Sequence, residues 1–261
     1  MVRSRMHHAA LVGLGLVMML SSWGVMRAGP TPTGHHWARK PSAFTLQVGD
    51  NLDSKWRGIL QEAVADWNKG DTVTFRIVNG ASSPQQCQPT KGRVEVCNWR
   101  YGTQEGWLGL TRLYFDKSGE HIEEATVQLN DSFFIQSGGR YNSDAARQHT
   151  MCHELGHAPG LNHVETTSCM NNSQSAVFNN LVPSKQDFRE FARIYRHKDA
   201  TTTVGGKHKR DKKDKHDHDT RKRQSGQARE AVHTPTETET VSVETLADGR
   251  ILVTHITWAE E

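Results

Sequence analysis

Between residues 53 and 68, DSKWRGILQEAVADWN sets Trp56, Ile59, Leu60, Ala63, Val64 and Trp67 three and four positions apart. That spacing predicts an amphipathic helix, and Asp53 or Ser54 can cap its start. The period then changes. In DTVTFRIV, Val73, Phe75 and Ile77 alternate with Thr72, Thr74 and Arg76, which predicts a strand. Further strand-like runs cover 93–97, 109–115 and 125–129, and the turn residues 116–119 separate the last two. A second long helix is predicted over 143–158, with Ser143 as N-cap and Asp144 in the first turn. A third covers 184–195. Phe188, Phe191, Ala192 and Tyr195 supply its buried stripe, and Ser184 with Asp187 forms a capping-box-like pair. Near the C-terminus, two alternating runs flank Asp248–Gly249 in TVSVETLADGRILVTHITW, a hairpin pattern. A lone hairpin is marginal in water, so it is expected to dock elsewhere or to pair with a partner.

The remaining stretches lack such periodicity. Residues 198–236 include GGKHKRDKKDKHDHDTRKRQSG, crowded with charges of both signs and almost free of apolar residues. Such a segment cannot bury a core and reads as a disordered charged linker. Residues 29–43 are rich in proline, glycine, threonine and basic residues and read as a linker or short pro-segment. At the N-terminus, Arg3 and Arg5 precede an apolar run from Ala9 to Leu20 and then Ser21, Ser22 and Gly24, the order of a secretory signal within 1–28. Extension of the run through Trp23, Val25 and Met26 keeps an uncleaved membrane anchor as the alternative. The intervening 44–197 form the predicted folded domain, and 237–261 the hairpin.

Charge adds an exclusion. With 32 basic and 29 acidic residues, the net +3 is too small to point to a nucleic-acid partner. Export changes the meaning of the four cysteines, because an even count in a secreted chain suggests disulfides. Three pairings are open. Cys87 and Cys97 are close enough in sequence to close a small loop, which leaves Cys152 with Cys169. No C-x-x-C spacing supports a cysteine metal site.

The candidate chemistry lies at 153–163, HELGHAPGLNH. On a helix, His153 and His157 share a face one turn apart, where both imidazoles can reach one metal ion. Glu154 lies near the same face, placed to act on water at the metal rather than to bind it. Pro159 and Gly160 end the helix and turn the chain, which brings back His163 as a third ligand. Three protein ligands leave an open position, the arrangement of a catalytic rather than a structural zinc site. His149, one turn before His153, is expected to pack beside the site and not to bind.

This string matches H-E-x-x-H-x-x-G-x-x-H at every fixed position, and the chain therefore resembles the metzincin zinc metallopeptidases. The resemblance covers roughly 44–196 and is specific at 153–170. Metzincins set a methionine in a tight turn beneath the metal, which Ser168 and Met170 fit. Astacin-like and serralysin-like members usually have tyrosine two residues later. Asn172 stands there, which favours the matrixin-like branch, although the proline that often follows the methionine in that branch is missing. The resemblance implies an α+β fold: a twisted mixed sheet, a backing helix, a zinc helix and a small C-terminal subdomain after Gly160. It implies one catalytic zinc on His153, His157 and His163, Glu154 as general base, and a peptide or protein substrate. Residues 107–130 resemble the matrixin strand pair before the zinc helix, the second of which, here 125–130, would be the edge strand that aligns the substrate. Phe178 and Leu181 lie where related enzymes shape a specificity pocket. Many matrixins carry a blocking cysteine in the pro-segment, but no cysteine precedes Cys87. No histidine and aspartate set for a second, structural zinc is legible, and calcium stays open. A secreted, monomeric zinc endopeptidase is the expected function. The alternatives are an extracellular zinc-containing binding protein without turnover and a structural surface protein joined through its hairpin.

Overall fold

A computed structural model of the chain describes residues 35–173, 175–205 and 241–260. The expected signal or anchor segment lies outside them, as does 206–236 of the expected charged linker. In chain order the strands are β1 (His36–Trp37), β2 (Phe44–Asn51), β3 (Val73–Asn79), β4 (Val94–Trp99), β5 (Trp107–Phe115), β6 (His121–Asn130), β7 (Val241–Thr245) and β8 (Ile251–Trp258). The helices are α1 (Ser54–Trp67), the single turn α2 (Asp131–Phe134), α3 (Asp144–His157) and α4 (Lys185–Ile194). Strands and helices are segregated in an α+β fold built on one mixed sheet. Its order is β3-β2-β4-β6-β5-β8-β7, with β1 added beside the start of β6. Pairing is parallel from β3 through β2 and β4 to β6, and antiparallel from β6 onward.

Local chemistry explains the elements around the site. The Asp53 carboxylate caps α1 by accepting from the backbone N–H groups of Lys55 and Trp56. The helix buries Trp56, Leu60, Ala63, Val64 and Trp67, and the Trp67 indole donates to the Cys152 carbonyl of α3 at 3.0 Å. The backing helix is thus fastened to the helix that carries the motif. Ser143 caps α3 by accepting from the Ala146 N–H. At the other end of α3, the Trp37 indole donates to the Ala158 carbonyl at 2.9 Å and the Tyr195 hydroxyl to the Pro159 carbonyl at 2.7 Å. These contacts satisfy acceptors that a helix end leaves open. The capping box of Ser184 and Asp187 starts α4. Disulfides join Cys87 to Cys97 and Cys152 to Cys169, with Cα atoms 5.8 and 5.9 Å apart. None of the described helices is long and apolar enough to cross a membrane.

Four expectations need correction. Residues 35–39 are not linker: Trp37 is fully buried and β1 pairs with β6. One large aromatic in a polar stretch leaves no periodicity, which is why the segment looks unstructured. Residues 199–205 fold back rather than trail away, with Asp199 N–H bonded to the Arg39 carbonyl and Gly205 N–H to that of Gly92. The terminal hairpin is no separate unit, because β8 pairs along β5 and continues the same sheet, so the folded domain does not end at 197. Finally, 125–130 is not an edge strand. It lies in β6, between β4 and β5, and on this side of the sheet the strand whose outer side is free of the first six strands is β5. That side is taken by β8.

Candidate active site

Helix α3 carries the first three motif residues on consecutive turns, and all are buried. The Nδ1 atoms of His153 and His157 lie 2.7 Å from the carbonyl oxygens of Cys169 and Leu161. A carbonyl only accepts, so each Nδ1 must carry the hydrogen, and each Nε2 presents a lone pair. Those two Nε2 atoms are 3.0 Å apart. Two lone pairs at that separation repel unless a cation lies between them. The His163 ring closes the third side, with centroids 5.0 Å from His153 and 4.8 Å from His157, and its buried Nε2 has no hydrogen-bond partner among the described residues. The ligand atoms of the three residues lie within 4.8 Å of one another. Neutral imidazoles are what a divalent metal requires. Burial, then the neighbouring imidazoles, holds His153 and His157 well below the ordinary histidine range, and burial lowers His163 to about 4. The donor set and the orphaned nitrogens therefore fit zinc.

The turn that returns His163 depends on Gly160, whose φ of 105° is costly for any residue with a side chain. A Cβ there would also strike the His35 carbonyl. Met170 is fully buried. Its N–H donates to the Ser168 hydroxyl at 3.0 Å, and that hydroxyl donates to Asp187 at 2.6 Å. The methionine turn is thereby tied to α4, while the Cys152–Cys169 disulfide ties it to α3. Asn172 approaches His163 Nδ1 at 3.4 Å. His149 stays outside the cluster: its Nδ1 lies 2.7 Å from the Asn180 carbonyl oxygen.

Glu154 is also fully buried, and points toward β5 and β8. Its Oε2 accepts from the Thr111 hydroxyl at 2.6 Å and its Oε1 from the Thr257 hydroxyl at 2.5 Å. Burial raises the carboxyl from 4.5 to about 7, against the two hydroxyls, which favour the charged form. Gly109 admits this close approach. A Cβ there would lie 2.7 Å from Glu154 Cγ and Oε1.

The sequence pattern misses Gly109, Thr111, His255 and Thr257. The register explains how they meet. Gly109 lies opposite Thr257, and Thr111 opposite His255, so alternation turns all four toward α3. The His255 ring stacks on His157, with centroids 4.1 Å apart and planes 17° apart, and burial lowers it to about 3. The alternation in ILVTHITW already sets His255 and Thr257 on one face; the neighbouring strand is what the sequence leaves open. Phe178 stacks on Tyr141 with centroids 6.0 Å apart.

No protein-family model matches this sequence, and no curated protein matches it. Among solved structures, it is similar to myroilysin at 16% identity and a TM-score of 0.37, over 61% of this chain and 96% of that one. It is similar to an archaemetzincin from Archaeoglobus fulgidus complexed with malonate, at 14% identity and a TM-score of 0.33, over 56% of this chain and 98% of the other. A third is high choriolytic enzyme 1, a hatching enzyme zinc-protease from the medaka fish Oryzias latipes, at 14% identity and a TM-score of 0.31, over 61% and 94%. At such distances, the chemistry of this site is read from its own residues.

Proposed function

We propose that the chain is a secreted zinc-dependent endopeptidase, with His153, His157 and His163 as metal ligands and Glu154 as general base. The observation that carries this reading is the convergence of imidazole Nε2 atoms, two of them 3.0 Å apart with both Nδ1 atoms engaged by carbonyls, beside a buried carboxyl. Zinc would supply Lewis acidity toward a scissile carbonyl and toward water. Glu154, raised to about 7, is suited to accept a proton from the attacking water and to release it to the leaving amine near neutral pH. Thr111 orients its carboxylate from the strand beside it.

An extended peptide would reach this cleft by adding a strand to the outer side of β5. In the described conformation that position belongs to β8, whose Thr257 holds Glu154 and whose His255 covers His157. The described form is accordingly read as latent, with the chain's own C-terminal strand in the place of a substrate. The same coverage favours the competing reading, a zinc-containing binding protein without turnover. Glu154 argues against it, since binding zinc needs no such carboxyl.

The test compares the parent, Glu154→Ala and His157→Ala for zinc content and for cleavage of a broad peptide library. Glu154→Ala should keep its zinc and lose about 10²–10⁴-fold in turnover. His157→Ala should lose both. Parent-like cleavage by Glu154→Ala would refute the assignment of the base. A zinc-loaded chain that cleaves nothing even with β8 displaced would leave the binding-protein reading.

A further inference from the structure

Away from the motif, three histidines and an aspartate from distant parts of the sequence meet around one carboxylate oxygen. Asp199 Oδ1 lies 3.3 Å from His36 Nε2, 3.3 Å from His197 Nε2 and 3.6 Å from His121 Nε2. The Nε2 atoms of His36 and His197 are 2.9 Å apart. The ligand atoms of His36, His121 and Asp199 all lie within 4.8 Å of one another, close enough to converge on one zinc ion bonded at about 2.0–2.1 Å to each, and His197 lies beside two of them. The rings are splayed as ligands around one point would be: His36 makes interplanar angles of 81° with His121 and 89° with His197.

The surroundings prepare the donors. Asp199 Oδ2 is occupied by the Arg39 backbone N–H at 2.9 Å and its guanidinium Nη1 at 3.1 Å, which leaves Oδ1 directed at the imidazoles. His121 Nδ1 lies 3.4 Å from Asp116 Oδ2, while its buried Nε2 makes no hydrogen bond among the described residues. A carboxylate behind one ring nitrogen turns the lone pair of the other outward, the support that metal-binding histidines commonly have. Three nitrogens and one oxygen suit zinc. A turn of the exposed His197 ring toward the other three donors would complete four and leave no open position, the arrangement of a structural and not a catalytic site.

We infer that His36, His121, His197 and Asp199 form a second zinc site, a closed structural staple separate from the motif histidines. It would join β1, the start of β6 and the chain after α4, which meet although His36 and Asp199 are 163 positions apart. The staple lies next to Trp37 and Tyr195, which brace the end of α3, so zinc here stabilises the support of the motif helix without touching it. Such a set is not legible in the sequence. The ligands lie too far apart in sequence to leave a spacing pattern.

Zinc content of the full-length chain, dialysed free of loosely held metal, tests the site. The His157→Ala background isolates it, because the motif site is then broken. That chain should retain about one zinc, and adding His121→Gln or His197→Ala should remove it, with a lower thermal midpoint but an intact circular dichroism spectrum. His197 is half-exposed, so its replacement keeps the comparison available should His121→Gln fail to fold. Zinc that is absent from His157→Ala and does not bind when added overturns the inference. Zinc untouched by both added substitutions does the same. Because the background already lacks the motif site, failure of the peptidase reading leaves this result unchanged.

Discussion

Replacing Ile256 by alanine is expected to activate the chain rather than cripple it. Ile256 lies on the face of β8 turned away from Glu154, opposite Leu110, and packs with Trp107, Leu110 and the half-buried Tyr101 and Trp258. Only 4% of it is exposed. Truncation of a buried isoleucine to alanine costs about 2–5 kcal/mol. This cluster is small and near the end of a strand, so it can close up, and the low end, about 2 kcal/mol, applies. At 1.4 kcal/mol per decade, the ratio of docked to undocked β8 falls roughly 30-fold. If substrate enters only where β8 has left, kcat/KM rises by up to the same factor, while kcat at saturating peptide barely moves. Ile256→Val, at about 0.5–1.5 kcal/mol, should give roughly 2- to 10-fold. Initial rates on a fluorogenic peptide pool, with zinc content and hydrogen exchange of β8 measured alongside, provide the check. Faster exchange in β8 with no gain in kcat/KM, or a loss of rate in step with stability, would mean that β8 is a fixed strand of the domain and not an occupant of the cleft.

Gly109→Ala should lower turnover without removing zinc, since its Cβ would lie 2.7 Å from Glu154 Oε1 and 2.8 Å from Thr150 Cγ2; overpacking of this kind costs about 1–3 kcal/mol, read as a lower thermal midpoint beside the rate. Replacing Cys152 and Cys169 together by serine should cost about 3 kcal/mol in urea unfolding, given their separation of 17 residues, and an unchanged midpoint would count against a stabilising bond. The metal-stripped chain should lose stability as pH falls from 6.5 toward 4. Burial lowers His35, His149 and His163 to about 4 and His255 to about 3, so in that window the unfolded chain binds more protons than the folded one. Glu154 acts oppositely between 4.5 and about 7, where the folded chain holds its proton, so Glu154→Gln should steepen the acid loss; a flat thermal midpoint in Glu154→Gln would contradict the histidine shifts, and equal slopes in the two chains would contradict that of Glu154.

The parts of this structure legible in the sequence are those in which neighbours along the chain are neighbours in space. The stripe from Trp56 to Trp67, the alternation of Val73, Phe75 and Ile77, and the caps at Asp53, Ser143 and Ser184 all reappear as α1, β3, α3 and α4. Within the motif, helix geometry alone brings His153 to His157. What the sequence conceals is long-range. Trp37 looks like an isolated aromatic in a polar stretch until its indole reaches Ala158. Thr257 acquires meaning only from the register that sets it opposite Gly109, and His36 only from Asp199. The assignment of the edge strand fails for a related reason. Hairpin partners β5 and β6 look alike in sequence, and which one faces outward is decided by β4, which pairs with β6.

The union of β8 and β5 within one chain has a thermodynamic consequence. As long as the backbone is continuous through residues 206–240, occupation of the β5 edge is unimolecular, and no dilution of the protein weakens it. One backbone cut in that stretch, which carries many of the chain's lysines and arginines, would turn the same contact into a complex of two molecules. From then on its occupancy would follow concentration, and a chain released into a large volume would shed β7 and β8 by mass action alone.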